Sequence, residues 1–70
     1  MTEQVLIGVD LGGTRVRAAR LSTTLNIIER HETLTLAHEG YDATIKRIKD
    51  LIRQVLPTDH TTEVAGIGIS

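Results

Sequence analysis

Cysteine is absent from this 70-residue chain, as are phenylalanine and tryptophan, and there is one tyrosine and one proline. Without cysteine there is neither a disulfide nor a thiolate metal site. His31, His38 and His60 are spread out with no cysteine beside them, which argues against a structural zinc site. A single aromatic residue gives no stacking platform for single-stranded nucleic acid. No apolar run approaches the ~20 residues a membrane span needs. The opening Met1-Thr2-Glu3-Gln4 lacks the basic stretch and apolar core of a secretory leader. Eight basic and nine acidic residues are interspersed to a net charge of -1, with no basic stripe. That balance argues against nucleic acid or an anionic membrane as the main partner. These absences leave a soluble cytoplasmic protein as the default expectation. The length allows one domain at most, and a domain of ~60 residues buries only about 60% of its unfolded surface.

What is present begins with Val5-Leu6-Ile7-Gly8-Val9, a β-branched apolar run that reads as a strand buried on both faces. Leu11-Gly12-Gly13-Thr14 reads as a turn in which paired glycines supply positive φ. Arg15 to Ser22 reads as a second strand, with the alternation slipping near Ala19-Arg20. Ile27 to Leu36 reads as a third, its polar middle suited to a sheet edge. Tyr41, Ile45, Ile48, Leu51, Ile52, Val55 and Leu56 then recur at spacings of mostly three and four, one face of an amphipathic helix. Asp42 in its first turn and Arg53 near its end match the helix dipole, and Pro57 stops it. Val64 to Ser70 reads as a fourth strand, returning parallel to the first through a right-handed crossover. The expected fold class is α/β: a three-stranded antiparallel meander, a helix, and a strand parallel to the first. On this reading Ile45, Ile48, Ile52 and Val55 cover one sheet face, and the other face and the fourth strand's edge stay open.

The chemistry concentrates in Gly8-Val9-Asp10-Leu11-Gly12-Gly13-Thr14-Arg15. A buried strand ends in an acid and a tight glycine turn follows. Successive backbone N–H groups in such a turn form a concavity that suits phosphate oxygens. Thr14 adds a hydroxyl donor and Arg15 a charge-assisted one. Asp10 is placed to hold magnesium through water, since magnesium keeps several of its waters. The spacing is not that of a P-loop, nor of a dinucleotide fingerprint, because both open into a helix. From the residues alone the turn is either an anion site or a plain hairpin turn.

Ile7 to Ala19 resembles the first phosphate motif of the actin, hexokinase and heat-shock chaperone superfamily. Its Gly-Gly-Thr form is most similar to the ROK branch (repressors, open reading frames, kinases) and to bacterial glucokinases. Val64 to Ser70 is similar to a ROK strand, and the element order resembles the family's ribonuclease H-like half-domain. The resemblance implies an ATP-dependent sugar kinase acting on a hexose or amino-hexose, with two lobes closing on the sugar. It implies that Asp10 supports the magnesium ion and that Gly12, Gly13 and Thr14 contact the ATP phosphates. Arg15 stands where the family often has lysine, which keeps the charge but not the hydrogen-bonding geometry. The resemblance leaves Ser70 open between a place near the family's sugar site and a plain strand end.

The catalytic aspartate, the second phosphate motif, the adenosine motif and the zinc site of ROK members have no counterpart in residues 1–70. The chain therefore reads as the N-terminal part of an N-terminal lobe, inactive alone and prone to self-association. Two other classes fit the motif: a sugar-sensing ROK repressor, and a non-kinase ATPase of the same superfamily. The repressors carry a helix-turn-helix ahead of the motif, whereas here only Met1 to Gln4 precede the first strand. No sugar-contact motif is legible, and the phosphoryl donor reads as ATP or polyphosphate.

Overall fold

A computed structural model describes residues 3–70. The reading of the first two residues, Met1 and Thr2, lies outside them. The elements run β1 (Glu3–Leu11), β2 (Arg15–Ser22), β3 (Ile27–Leu34), a 3-10 turn (Ala37–Glu39), α1 (Tyr41–Val55) and β4 (Thr62–Ile69). They form one four-stranded sheet in the order β3-β2-β1-β4. β1 is antiparallel to β2, β2 to β3, and β1 is parallel to β4. The expected meander, helix and parallel return are all present.

One face of the sheet makes the core. Strand alternation puts Val5, Ile7 and Val9 of β1 on the same side as Val16 and Ala18 of β2, and all five are buried. From α1, Leu51 and Val55 close over Ile7, Val9, Val16 and Ala18, with Ile48, Ile52, Leu56 and Val64 packed around them. Each such buried aliphatic side chain contributes about 1.5–3 kcal/mol of transfer free energy. β1 is therefore buried on one face, not two: Leu6 and Gly8 point to the opposite face and are half-buried.

Two members of the helical stripe depart from the expectation. Tyr41 is 79% exposed, because it occupies the first position of α1, ahead of the turns that reach the sheet. Ile45 is half-buried but outside the core cluster, and the deep position belongs to Leu51. The helix terminates as its sequence demands. Leu56 takes an extended conformation (φ -65°, ψ 144°), which a residue before proline prefers. Arg20 donates from Nη1 to the Val55 carbonyl at 3.2 Å, capping that end with positive charge.

The third strand stops at Leu34, two residues earlier than expected. Leu36 enters the left-handed region at φ 50° and the chain folds into the 3-10 turn, which periodicity gave no sign of. Gly40 follows at φ 101°, where a glycine is required. The slipped alternation near Ala19-Arg20 corresponds to a register shift between Arg20 and Leu21 in the β2–β3 pairing. α1 lies over β1, β2 and β3, so Ile67 and Ile69 on the same side of edge strand β4 remain 54% and 60% exposed.

Candidate functional site

The β1–β2 connection is the shortest link in the sheet, Gly12-Gly13-Thr14, and its residues are exposed. Neither glycine has positive φ, contrary to the expectation; among the described residues Gly40 is the one glycine that does. Gly12 is needed for a different reason. A Cβ there would lie 2.7 Å from the Arg15 carbonyl oxygen, whereas one on Gly13 would meet nothing within 4 Å. The Gly12 N–H donates to that same Arg15 oxygen at 2.9 Å. Among the described residues, the Gly13 and Thr14 amides have no hydrogen-bond partner. Two adjacent N–H groups without an internal partner, in an exposed turn, can donate to an anion's oxygens.

The turn is tied to the third strand. Thr35 donates from Oγ1 to the Gly12 carbonyl and from its backbone N–H to the Thr14 carbonyl, both at 2.8 Å. Thr35 is a buried polar residue of the core boundary. Sequence reasoning took it for a strand position; a hydroxyl following Leu34 at the strand end was the available signal.

Asp10 lies on the face opposite α1, in register with Arg17 of β2, which is in register with Glu32 of β3. Arg17 Nη1 is 3.7 Å from Asp10 Oδ2, and Arg17 Nε donates to Glu32 Oε2 at 3.1 Å. Arg15 Nη1 lies 3.7 Å from Glu32 Oε1. Each of these side chains is about half exposed, so the pairs contribute at most about 1 kcal/mol apiece. Their significance is directional. Arg15 leans toward Glu32 instead of over the turn, and Arg17, not Arg15, neighbours Asp10.

Ser70 continues β4 beside this row: its N–H donates to the Val9 carbonyl and its carbonyl accepts from Leu11, both at 2.9 Å. Asp10, Arg17 and Ser70 thereby line one open depression of about 440 Å³ floored by Gly8, Ala19 and Gly68. The structure brings Asp10 and Ser70 together. Gly13 and Thr14 instead border a smaller hollow of about 310 Å³ shared with Leu34, Leu36 and His38. The candidate residues thus divide between the hairpin tip and the sheet face, separated by one residue of β1.

The tip offers unpartnered amides to phosphate. Asp10 is one exposed carboxylate, with Arg17 Nη1 3.7 Å away; a magnesium ion that keeps most of its waters is usually held by one or two carboxylates together with substrate phosphates. No cluster of three or more acidic or histidine side chains exists among the described residues to bind a metal by protein ligands alone. No helix among them is long and apolar enough to cross a membrane.

No protein-family model matches the chain. It is 35% identical over 63 residues to the N-acetylmannosamine kinase of Citrobacter koseri (strain ATCC BAA-895 / CDC 4225-83 / SGSC4696). The matched stretch is 90% of this chain and 22% of that relative, so the chain spans about a fifth of its length. With 63 of 70 residues matched, the seven left over cannot hold the β1–β2 turn, which lies inside the similarity. The chain is therefore related in sequence to a sugar kinase.

Proposed function

We propose that this chain is the phosphate-binding part of the N-terminal lobe of a longer ATP-dependent sugar kinase of the ROK type. The observation that carries the reading is the turn: two unpartnered amides at Gly13 and Thr14, at the tip of the hairpin whose first strand carries Asp10, within a stretch related to a sugar kinase. In this reading the Gly13 and Thr14 amides and the Thr14 hydroxyl bind ATP phosphate oxygens, and Gly12 gives the turn its close approach to Arg15. Asp10 holds magnesium through water. Arg15 turns from Glu32 toward the phosphates when they are present. ATP supplies the γ-phosphoryl group, which passes to a sugar hydroxyl; such transfer is driven mainly by positioning and charge neutralisation. The base that accepts the hydroxyl proton lies outside these 70 residues, so the segment alone is inactive.

The relative's name favours an amino-hexose over glucose as the acceptor; a glucokinase-type activity is the alternative within the same class. A cytoplasmic location accords with use of ATP. The test is a phosphorylation assay of the full-length protein across hexoses and amino-hexoses with magnesium and ATP, with Asp10→Ala alongside. One sugar phosphorylated, and a kcat reduced about 10–100-fold by the substitution, is the expected result. Sugar or DNA binding without phosphorylation of any sugar would shift the reading to a sensor of the repressor type. ATP hydrolysis indifferent to sugar would shift it to a non-kinase ATPase.

A further inference from the structure

We propose that Thr35 is a positioning residue that sets the direction of the Gly13 amide, and that Arg47 holds Thr35 in place for it. The proposal rests on the phosphate-binding reading of the turn given above. In a trans peptide the C=O and the N–H point in opposite directions. The Gly12 carbonyl shares its peptide with the Gly13 N–H, and that carbonyl accepts the Thr35 hydroxyl at 2.8 Å. Drawing the carbonyl toward Thr35 therefore turns the Gly13 N–H away from it, and that N–H has no hydrogen-bond partner among the described residues. This peptide lies between two glycines, so side chains resist its rotation less than anywhere else in the chain. Without a tie it is free to flip and present its carbonyl, which would repel phosphate.

The tie is itself anchored. The Thr35 carbonyl accepts from Arg47 Nη1 at 2.8 Å, and Arg47 Nη2 pairs with Glu39 of the 3-10 turn. Arg47 is on α1, and its side chain is largely buried. Helix, strand end and turn are thus joined by one line of hydrogen bonds, with a second bond from the Thr35 N–H fixing the far side of the turn at Thr14. A hydroxyl is essential to this role. Valine would fill the same volume and keep the backbone bonds but leave the Gly12 carbonyl unheld.

The test uses the full-length protein and three variants, Thr35→Val, Thr35→Ser and Gly13→Val, with MgATP affinity by calorimetry and separate KM values for ATP and sugar. Loss of one oriented hydrogen bond corresponds to about a tenfold change. Thr35→Val is expected to weaken MgATP by that factor with the sugar KM unchanged, and Thr35→Ser to restore it to within about twofold. Equal behaviour of the Val and Ser variants, or a sugar KM that moves as far as that for ATP, overturns the proposal. If Gly13→Val weakens MgATP and Thr35→Val does not, the positioning role falls while the phosphate reading stands. If Gly13→Val leaves MgATP untouched, both fall. Amide exchange on the unmodified protein gives a readout independent of any variant's folding. The Thr35 amide is expected to be protected, and the Gly13 amide open until MgATP is added; a Gly13 amide protected without nucleotide refutes the proposed direction.

Discussion

Gly12 and Gly13 are neighbours, yet their replacement by alanine should have opposite consequences. At Gly12 the added Cβ falls 2.7 Å from the Arg15 carbonyl oxygen, where a close carbon–oxygen approach is about 3.3–3.6 Å. That atom belongs to the backbone of β2 and cannot swing aside. Relieving the clash by overpacking costs about 1–3 kcal/mol. Moving the two strand ends apart also stretches the Gly12 N–H to Arg15 bond, worth about 1 kcal/mol. Gly12→Ala should therefore destabilise by roughly 2–4 kcal/mol, a fall of about 1–2 M in urea midpoint at a slope near 2 kcal/mol/M. At Gly13 the Cβ meets nothing and φ is not positive, so Gly13→Ala should stay within about 0.5 kcal/mol of the parent while weakening MgATP binding. The assay is a urea titration of both variants in the full-length protein, with nucleotide binding measured in parallel. Equal stability losses, or a Gly12→Ala protein as stable as the parent, would refute the assignment of one glycine to the fold and the other to the ligand.

Leu51→Ala, at a 2%-exposed position of the core, should cost about 2–5 kcal/mol in thermal or urea unfolding. Hydrogen bonds from the Thr62 and Thr61 side chains hold the Asp59 carboxyl below its ordinary pKa. A depressed acid adds stability that is present above its unfolded pKa and lost as pH falls through the folded one. NMR titration should show the Asp59 pKa rising toward the ordinary value in Thr62→Val, and an Asp59 that titrates unchanged would contradict the cause. The isolated 70-residue chain should self-associate through edge strand β4, with Ile67→Lys reducing the apparent mass in light scattering; a parent monomeric at high concentration would count against an adhesive edge.

How far the sequence carried differs from element to element. The limits of β2 and the start of α1 were legible because each is marked by residues that physics constrains tightly: a glycine turn before Arg15, a shift from two-residue to helical spacing at Tyr41. The parallel return of β4 followed from chain connectivity. The 3-10 turn was not legible, since it depends on Leu36 adopting φ 50°, a conformation no leucine advertises. The identity of the buried helical residues was only partly legible, because periodicity names a stripe but not which part of it meets the sheet. The stripe's first residues, Tyr41 and Ile45, lie short of the core, and Leu51 and Val55 meet it. At the candidate site, Asp10 and the glycine turn stood out, but the partners did not. Arg17, Glu32 and Thr35 lie 7 to 25 positions from Asp10 and reach the site only through strand register and the path of the chain after β3.

The place of β1 in the sheet also sets a timetable. On one side it pairs with the segment that immediately follows it; on the other, Val9 meets Ile69, sixty positions later in the chain. The hairpin carrying the glycine turn can close as soon as Ser22 exists, whereas the parallel partner is the last of these four strands in the sequence and closes the largest loop among them. Contacts of long sequence separation slow folding, so docking of β4 should follow closure of the β1–β2 hairpin. Until it occurs, the central strand has one unpaired edge, and any second copy synthesised nearby offers the same β4 sequence to it.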